Sequence, residues 1–219
     1  MTIDKARSLN DIYRTINKDE PTSSPAMSNP GGTTISRPPI IDETTLNPVQ
    51  RRVYDAILSG PRGVVEGPLR LWLLSPGLAE RAQELGAFCR YNTKLAPRLS
   101  ELAILVTGAF WKAGFEWVAH CPAAISAGLS ADIAEAIRKD EEPTFEQEDE
   151  AAVFALAREL HQTRRLSDAT YERAIRLLGL EAVVELVGIL GYYTLVSMTI
   201  NAFEIPAPSG AADPFAQAE

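Results

Sequence analysis

Three side chains in one stretch of the sequence have the types and spacing for acid–base chemistry: Glu101, Glu116 and His120. Glu116 and His120 are four residues apart, so on a helix they share a face and come within hydrogen-bonding reach. A carboxylate beside an imidazole either sets its charge for proton transfer or forms a structural pair, and the spacing alone leaves both open. Glu101 stands among Leu99, Leu102 and Ile104. Near a helix start a carboxylate is favoured by the macrodipole, so a solvated or ion-paired side chain is the ordinary reading and a second relay carboxylate the functional one. One straight helix over 101–116 would separate the two carboxylates by roughly 22 Å, at about 1.5 Å per residue. They act together only if the chain breaks between them or if subunits meet there. Gly108 and Gly114 are the weak points, and Gly114, just before Phe115-Glu116-Trp117, is the better break. Pro122 should then kink the second helix or make it restart near Cys121.

The positioning elements read as helices, since no later segment shows sustained period-2 alternation. Asn47-Pro48 opens a helix through Tyr54 and Ile57 that ends at Ser59-Gly60-Pro61, and Ser75-Pro76 opens another running to about Tyr91. Between them GPRGVVEGPLRLWLL reads as a loop long enough to cover a pocket. Pro97 starts the helix with the apolar stripe Leu102, Leu105, Val106 and Ala109. Ser130 caps a short helix to about Arg138, Thr144 with Gln147 forms a capping box, and Ser167 or Asp168 caps a helix ending at Gly179. The last helix runs from about Glu181 to Asn201, and its apolar Leu186–Ile200 stretch is shorter than the roughly 20 residues that cross a bilayer. The expectation is a single all-α domain of about seven helices over 45–205, with an amino-terminal arm over 1–44 and a tail over 206–219. The Pro/Ser-rich PTSSPAMSNPGGTTISRPP is the heart of that arm, flexible or ordered by packing on a neighbouring subunit.

Composition narrows the partners. The 21 Lys and Arg against 29 Asp and Glu give a formal charge of −8, which repels nucleic acid and anionic membrane surfaces. The two cysteines, Cys89 and Cys121, form no CxxC or metal-knuckle spacing. Asp4 and Lys5 interrupt any secretory signal, so a cytoplasmic, reducing location is expected.

The segment RLSELAILVTGAFWKAGFEWVAHCPAAISAGLS resembles the core of the carboxymuconolactone decarboxylase family, which includes alkylhydroperoxidase-D-like (AhpD-like) proteins. Arg98 and Glu101 open one helix, Glu116-Trp117 with His120 opens the next, and Ala124 with Gly128-Leu129 leads into a short helix. The likeness extends from about Asn47 to Asn201, with GPLRLWLLSP before the core and GYYTLVSMTINAF after it. In the peroxidase branch a CxxC pair precedes the histidine. Here the positions seven and four before His120 are Ala113 and Glu116, so disulfide-cycling chemistry is not expected. Cys121 is expected to be a buried small residue.

The decarboxylase branch is the better match, and the resemblance implies an all-α homo-oligomer, trimer or hexamer, with no organic cofactor or metal. It implies a lyase releasing carbon dioxide from a small lactone acid of aromatic-compound catabolism. The expected roles are His120 as general acid/base, Glu116 as the group that orients or charges it, and Glu101 as the second carboxylate. An anionic substrate needs a cation, with Arg62 the first candidate and Arg98 next. Trp72 and Trp117 are candidate pocket walls, and Asn201 either hydrogen-bonds a ligand or caps its helix. The alternatives are an isomerase or hydrolase on the same scaffold, a metal held by two glutamates and a histidine, and a non-catalytic oligomeric binding protein.

Overall fold

The computed structural model describes residues 37–39 and 41–216, so most of the expected arm lies outside the described residues. Among the described residues there are nine α-helices and no strand: α1 Pro48–Ser59, α2 Gly67–Trp72, α3 Pro76–Tyr91, α4 Pro97–Phe110, α5 Gly114–Ser126, α6 Ala131–Arg138, α7 Glu148–Thr163, α8 Asp168–Leu178 and α9 Leu180–Phe203. Helix α4 is the axle of the domain. Every residue from Leu99 to Gly108 is buried, and α3, α5, α6, α7 and α9 all pack against it. Ten consecutive buried positions exceed an amphipathic stripe, which is why α4 has neighbours on all sides.

Several starts follow their local signals. Asn47 accepts from the backbone N–H groups of Val49 and Gln50, while Gln50 Oε1 accepts from Asn47 N–H, a complete capping box. Ser130 and Ser167 cap α6 and α8 through their hydroxyl oxygens.

Four expectations are corrected. The GPRGVVEGPLRLWLL stretch is not all loop. Pro68 stands in the first turn of α2, and the burial of Leu69, Leu71 and Trp72 holds this short helix against α3 and α9. The Thr144–Gln147 capping box does not form. Gln147 precedes α7 without a side-chain cap, and the first turn carries Glu148, Asp149 and Glu150 instead, where the macrodipole favours anions. The chain break falls at Trp111–Ala113, with Lys112 in the left-handed region at φ 50°, and Gly114 is the first residue of α5. Gly114 has a separate steric role, since a Cβ there would meet the Asp213 carboxylate. Helix α5 also runs through Pro122 without restarting; one missing N–H does not outweigh its extensive packing on α4.

Helix α9 is 24 residues long, longer than read from sequence, and by length and composition it could cross a membrane. Here Leu186, Ile189 and Tyr193 sit in the core and α9 packs on α2, α3, α4, α5 and α8, while Leu180 and Val184 remain exposed. Arm residues near the domain rest on this same chain. Arg70 Nε and NH2 donate to the Ile41 carbonyl at 3.1 and 2.8 Å, and Arg37 pairs with Glu204 at 2.6 Å.

Arg98, a candidate substrate cation, is already engaged in ion pairs. Its guanidinium is held by Glu150 at 2.6 Å and Asp149 at 2.9 Å, tying the first turn of α4 to the first turn of α7. Glu150 is buried, so losing Arg98 strands a carboxylate away from water. Arg98→Met is expected to cost about 3 kcal/mol in chemical denaturation, whereas Asp149→Asn, which leaves the shorter pair intact, costs less than about 1 kcal/mol.

Candidate functional site

Reversal of the chain at Trp111–Ala113 lays α5 back against α4, so that residues of the two helices face each other. Glu101 and His120 are such a pair. His120 Nδ1 lies 2.6 Å from Glu101 Oε2, a charge-assisted hydrogen bond. On the other side of the ring, Nε2 lies 2.9 Å from Glu116 Oε1 across the four-residue helical spacing. That second contact has ion-pair distance without hydrogen-bond alignment, and Glu116 Oε1 is buried without a hydrogen-bond partner among the described residues. The three side chains are close to fully enclosed: Glu101 is 7%, Glu116 3% and His120 4% exposed.

Burial alone would lower the His120 pKa, because an imidazolium loses its hydration. The charge of Glu116, the hydrogen bond to Glu101 and that carboxylate's own charge outweigh burial and raise it to about 9. The ring is therefore an imidazolium at neutral pH, gripped at both nitrogens. Arg90 Nε stands 3.8 Å from the other Glu101 oxygen and adds positive charge to the cluster.

A cavity of about 100 Å³ opens beside this triad, lined among others by Arg62, Trp72, Arg90, Glu116, His120, Tyr192 and Tyr193. Arg62 Nε and NH2 are buried with no hydrogen-bond partner among the described residues, and so is the Tyr193 hydroxyl. Buried donors without partners are rare because each forgoes the free energy of hydration. Gathered around one hollow, they mark a place for a polar or anionic guest. Burial pushes the Tyr192 phenol up to about 12 despite the opposing charge of Arg62, and burial and Glu116 push Tyr193 well above its ordinary value. Both phenols stay neutral donors. Gly86 on α3 makes the crowding possible, since a Cβ there would collide with the Tyr192 hydroxyl and Arg62 NH2.

Of the residues singled out from sequence, the fold brings Glu116, His120, Arg62 and Trp72 to the lining of this cavity, while Glu101 reaches it only through His120. Trp72 Nε1 donates to Thr199 Oγ1 at 3.1 Å, which fixes its indole as a wall. Three lie elsewhere. Arg98 is bound to Asp149 and Glu150, Trp117 packs edge-on against Phe215 at 5.5 Å, and exposed Asn201 donates through Nδ2 to the Trp111 carbonyl at 2.6 Å. Trp117 follows Glu116 directly, so its side chain points about 100° away around α5. Cys121 is half-buried rather than buried, and burial raises its pKa. Sequence reasoning missed Arg90, Tyr192 and Tyr193. The paired tyrosines inside an otherwise apolar helix were the available signal, whereas Arg90 had none.

A larger groove of about 490 Å³ includes the second histidine, His161, stacked on Phe110 at 4.9 Å. Its arginines are already paired, Arg138 with Glu135 at 2.8 Å and Arg158 with Glu142 at 2.9 Å, and among the described residues none of its lining side chains carries a buried polar atom without a partner. Among the described residues no group of three His, Cys, Asp or Glu is arranged to hold a metal ion. Glu101 and Glu116 occupy opposite nitrogens of His120, so the three do not converge on one point.

No family model and no curated protein matches the chain. Among solved structures, an uncharacterized peroxidase-related protein from Silicibacter sp. TM1040 superimposes with a TM-score of 0.63 over 84% of this chain and 96% of its own length, at 14% sequence identity. At that identity the likeness shows the fold alone, an all-α helical domain shared over most of both chains.

The raised His120 pKa has a sign. Between the unfolded value near 6.5 and the folded value of about 9, the native state binds one more proton than the unfolded chain. This contribution is complete below pH 6.5, fades as pH rises, and is gone above about 9. From pH 7 to 9, the wild-type unfolding free energy should fall more steeply than that of His120→Asn, by up to about 1.4 kcal/mol per pH unit. Parallel pH profiles would contradict the buried imidazolium.

Proposed function

We propose that this protein is an acid–base enzyme, a decarboxylase-like lyase acting on a small lactone or aromatic-derived carboxylic acid. The observation that carries the acid–base part is the buried ring of His120, held by Glu101 and Glu116 at the edge of a cavity that Arg62 lines with two buried nitrogens lacking partners among the described residues. In decarboxylation the bond from carbon to the carboxylate breaks, carbon dioxide leaves, and the electron pair passes into the unsaturated lactone before carbon takes a proton. His120, held as the charged form by Glu116 and Glu101, donates that proton, and the neutral ring then takes a proton from solvent to complete the cycle. Arg62, with Arg90 behind it, holds the substrate's negative charge, and the neutral phenols of Tyr192 and Tyr193 donate to the oxygen on which charge grows. Trp72, Leu69 and Val196 supply an apolar wall for the carbon skeleton and limit water at the carbon that takes the proton.

The peroxidase-related description of the structural neighbour is not extended to this chain. Ala113 and Glu116 occupy the positions where a redox cysteine pair would precede His120, and burial pushes the Cys89 thiol up to about 11. The second reading is an isomerase or hydrolase, because a proton donor gripped at both nitrogens serves any reaction that protonates carbon or a leaving oxygen. Carbon dioxide release separates the two.

The test is turnover of a panel of unsaturated lactone acids with product analysis. His120→Ala should lower kcat by a factor of about 10² to 10⁴, Glu116→Gln and Glu101→Gln by smaller factors, and Arg62→Gln should mainly raise KM, by about tenfold or more. The wild-type rate should hold through neutral pH and decline as pH rises through about 9, when the proton donor is lost. Turnover unchanged in His120→Ala removes the proposal.

A further inference from the structure

A cavity of about 100 Å³ is smaller than the roughly 150 Å³ cavity that accommodates benzene in an engineered protein. It takes the reacting head of a substrate and little more. Behind one of its walls is a second hollow of about 360 Å³, lined by apolar side chains that include Pro38, Ile41, Leu71, Ile205 and Pro206. The cation in this outer hollow, Arg70, already gives its guanidinium to the Ile41 carbonyl. The two hollows have one side chain in common, the ring of Phe115.

How that ring is seated explains the division. Phe115 is the second residue of α5, one position before Glu116, and its ring tip rests on the α-carbon of Gly67 at the start of α2. Gly67 has φ +55°, and a Cβ there would overlap the ring. Gly67 faces the outer hollow, while its neighbours Glu66, Pro68 and Leu69 face the inner one. Helix α2 stands between the chambers, with Pro68, Leu69 and Trp72 on the inner side and Gly67, Arg70 and Leu71 on the outer, and at its first turn the partition is the Phe115 ring laid against Gly67. The ring is only partly buried, and nothing covalent or hydrogen-bonded holds it. Turning it away joins the chambers.

We propose that Phe115 is the specificity-determining partition of this site: the substrate carries an anionic head, bound at Arg62 and His120, and an apolar extension that displaces Phe115 and lies in the proline-lined outer chamber. The inference rests on the anion-binding reading of Arg62 given above. It sets the substrate class as carboxylates bearing an apolar substituent longer than the inner chamber holds.

The test is calorimetric titration with straight-chain carboxylates from propionate to octanoate, comparing wild type with Phe115→Ala, Phe115→Leu, Ile205→Trp and Arg62→Gln, each verified as folded by circular dichroism. The readout is how affinity changes with chain length within each protein. In wild type, affinity should keep rising beyond butyrate, less steeply than the about fourfold per methylene of free apolar burial because the ring must move. Phe115→Ala and Phe115→Leu should steepen the series, raising the octanoate-to-propionate affinity ratio at least tenfold in the alanine variant. Ile205→Trp, which fills the outer chamber from the far side, should flatten it. If carboxylates bind in an Arg62-dependent way but the ratio is the same in all these proteins, the partition is overturned and the anion site stands. If no carboxylate binds, or binding ignores Arg62→Gln, the anion-binding reading falls and the partition with it.

Discussion

A buried positive ring between two buried negative groups sets the terms for the rest of this fold. Each of the three charges would be costly alone in a dry interior, so none is tolerable unless the other two arrive with it. Glu101 comes from one helix and His120 with Glu116 from the next, so the turn at Trp111–Ala113 must reverse the chain at the correct length. Lys112 accepts an unfavourable left-handed backbone there. Burial of α4 on every side fixes one arm of that hairpin, and packing of α5 on it fixes the other.

Around the triad, charge is arranged so that the cavity is left with unmet donors. Arg90 is partly absorbed by Glu101, whereas Arg62 has two nitrogens without partners. The neighbouring phenols are kept neutral by burial, so they add donors without adding negative charge. A site assembled in this way favours a guest that brings acceptor oxygens, and the small inner volume limits how much else that guest presents to the triad.

Much of the helical framework was legible because its signals are local. Asn47-Pro48, Pro97, Ser130 and Ser167 each act within one turn of where they stand. The Glu116–His120 pairing was legible for the same reason, being fixed by helical pitch. Gly67–Trp72 misled because its glycine and proline suggest a loop, while the burial that makes it a helix comes from α3 and α9. Arg98 looked like a free cation because its acidic partners lie 51 and 52 residues downstream. Arg90, Tyr192 and Tyr193 reach the cavity from α3 and α9, and no spacing along the chain announces that these helices flank α5. Within one helix, pitch betrays a contact; between helices, only packing does.

The clasp of Arg98 on Asp149 and Glu150 lies one helical turn before Glu101 on α4. It therefore works as a clamp on the stem from which that carboxylate projects, with its anchorage in a helix that contributes nothing to the cavity lining. Slack introduced at that distant anchorage would reach His120 as a lengthened or misdirected hydrogen bond. The seating of the imidazole is thus governed partly by residues that never reach the cavity.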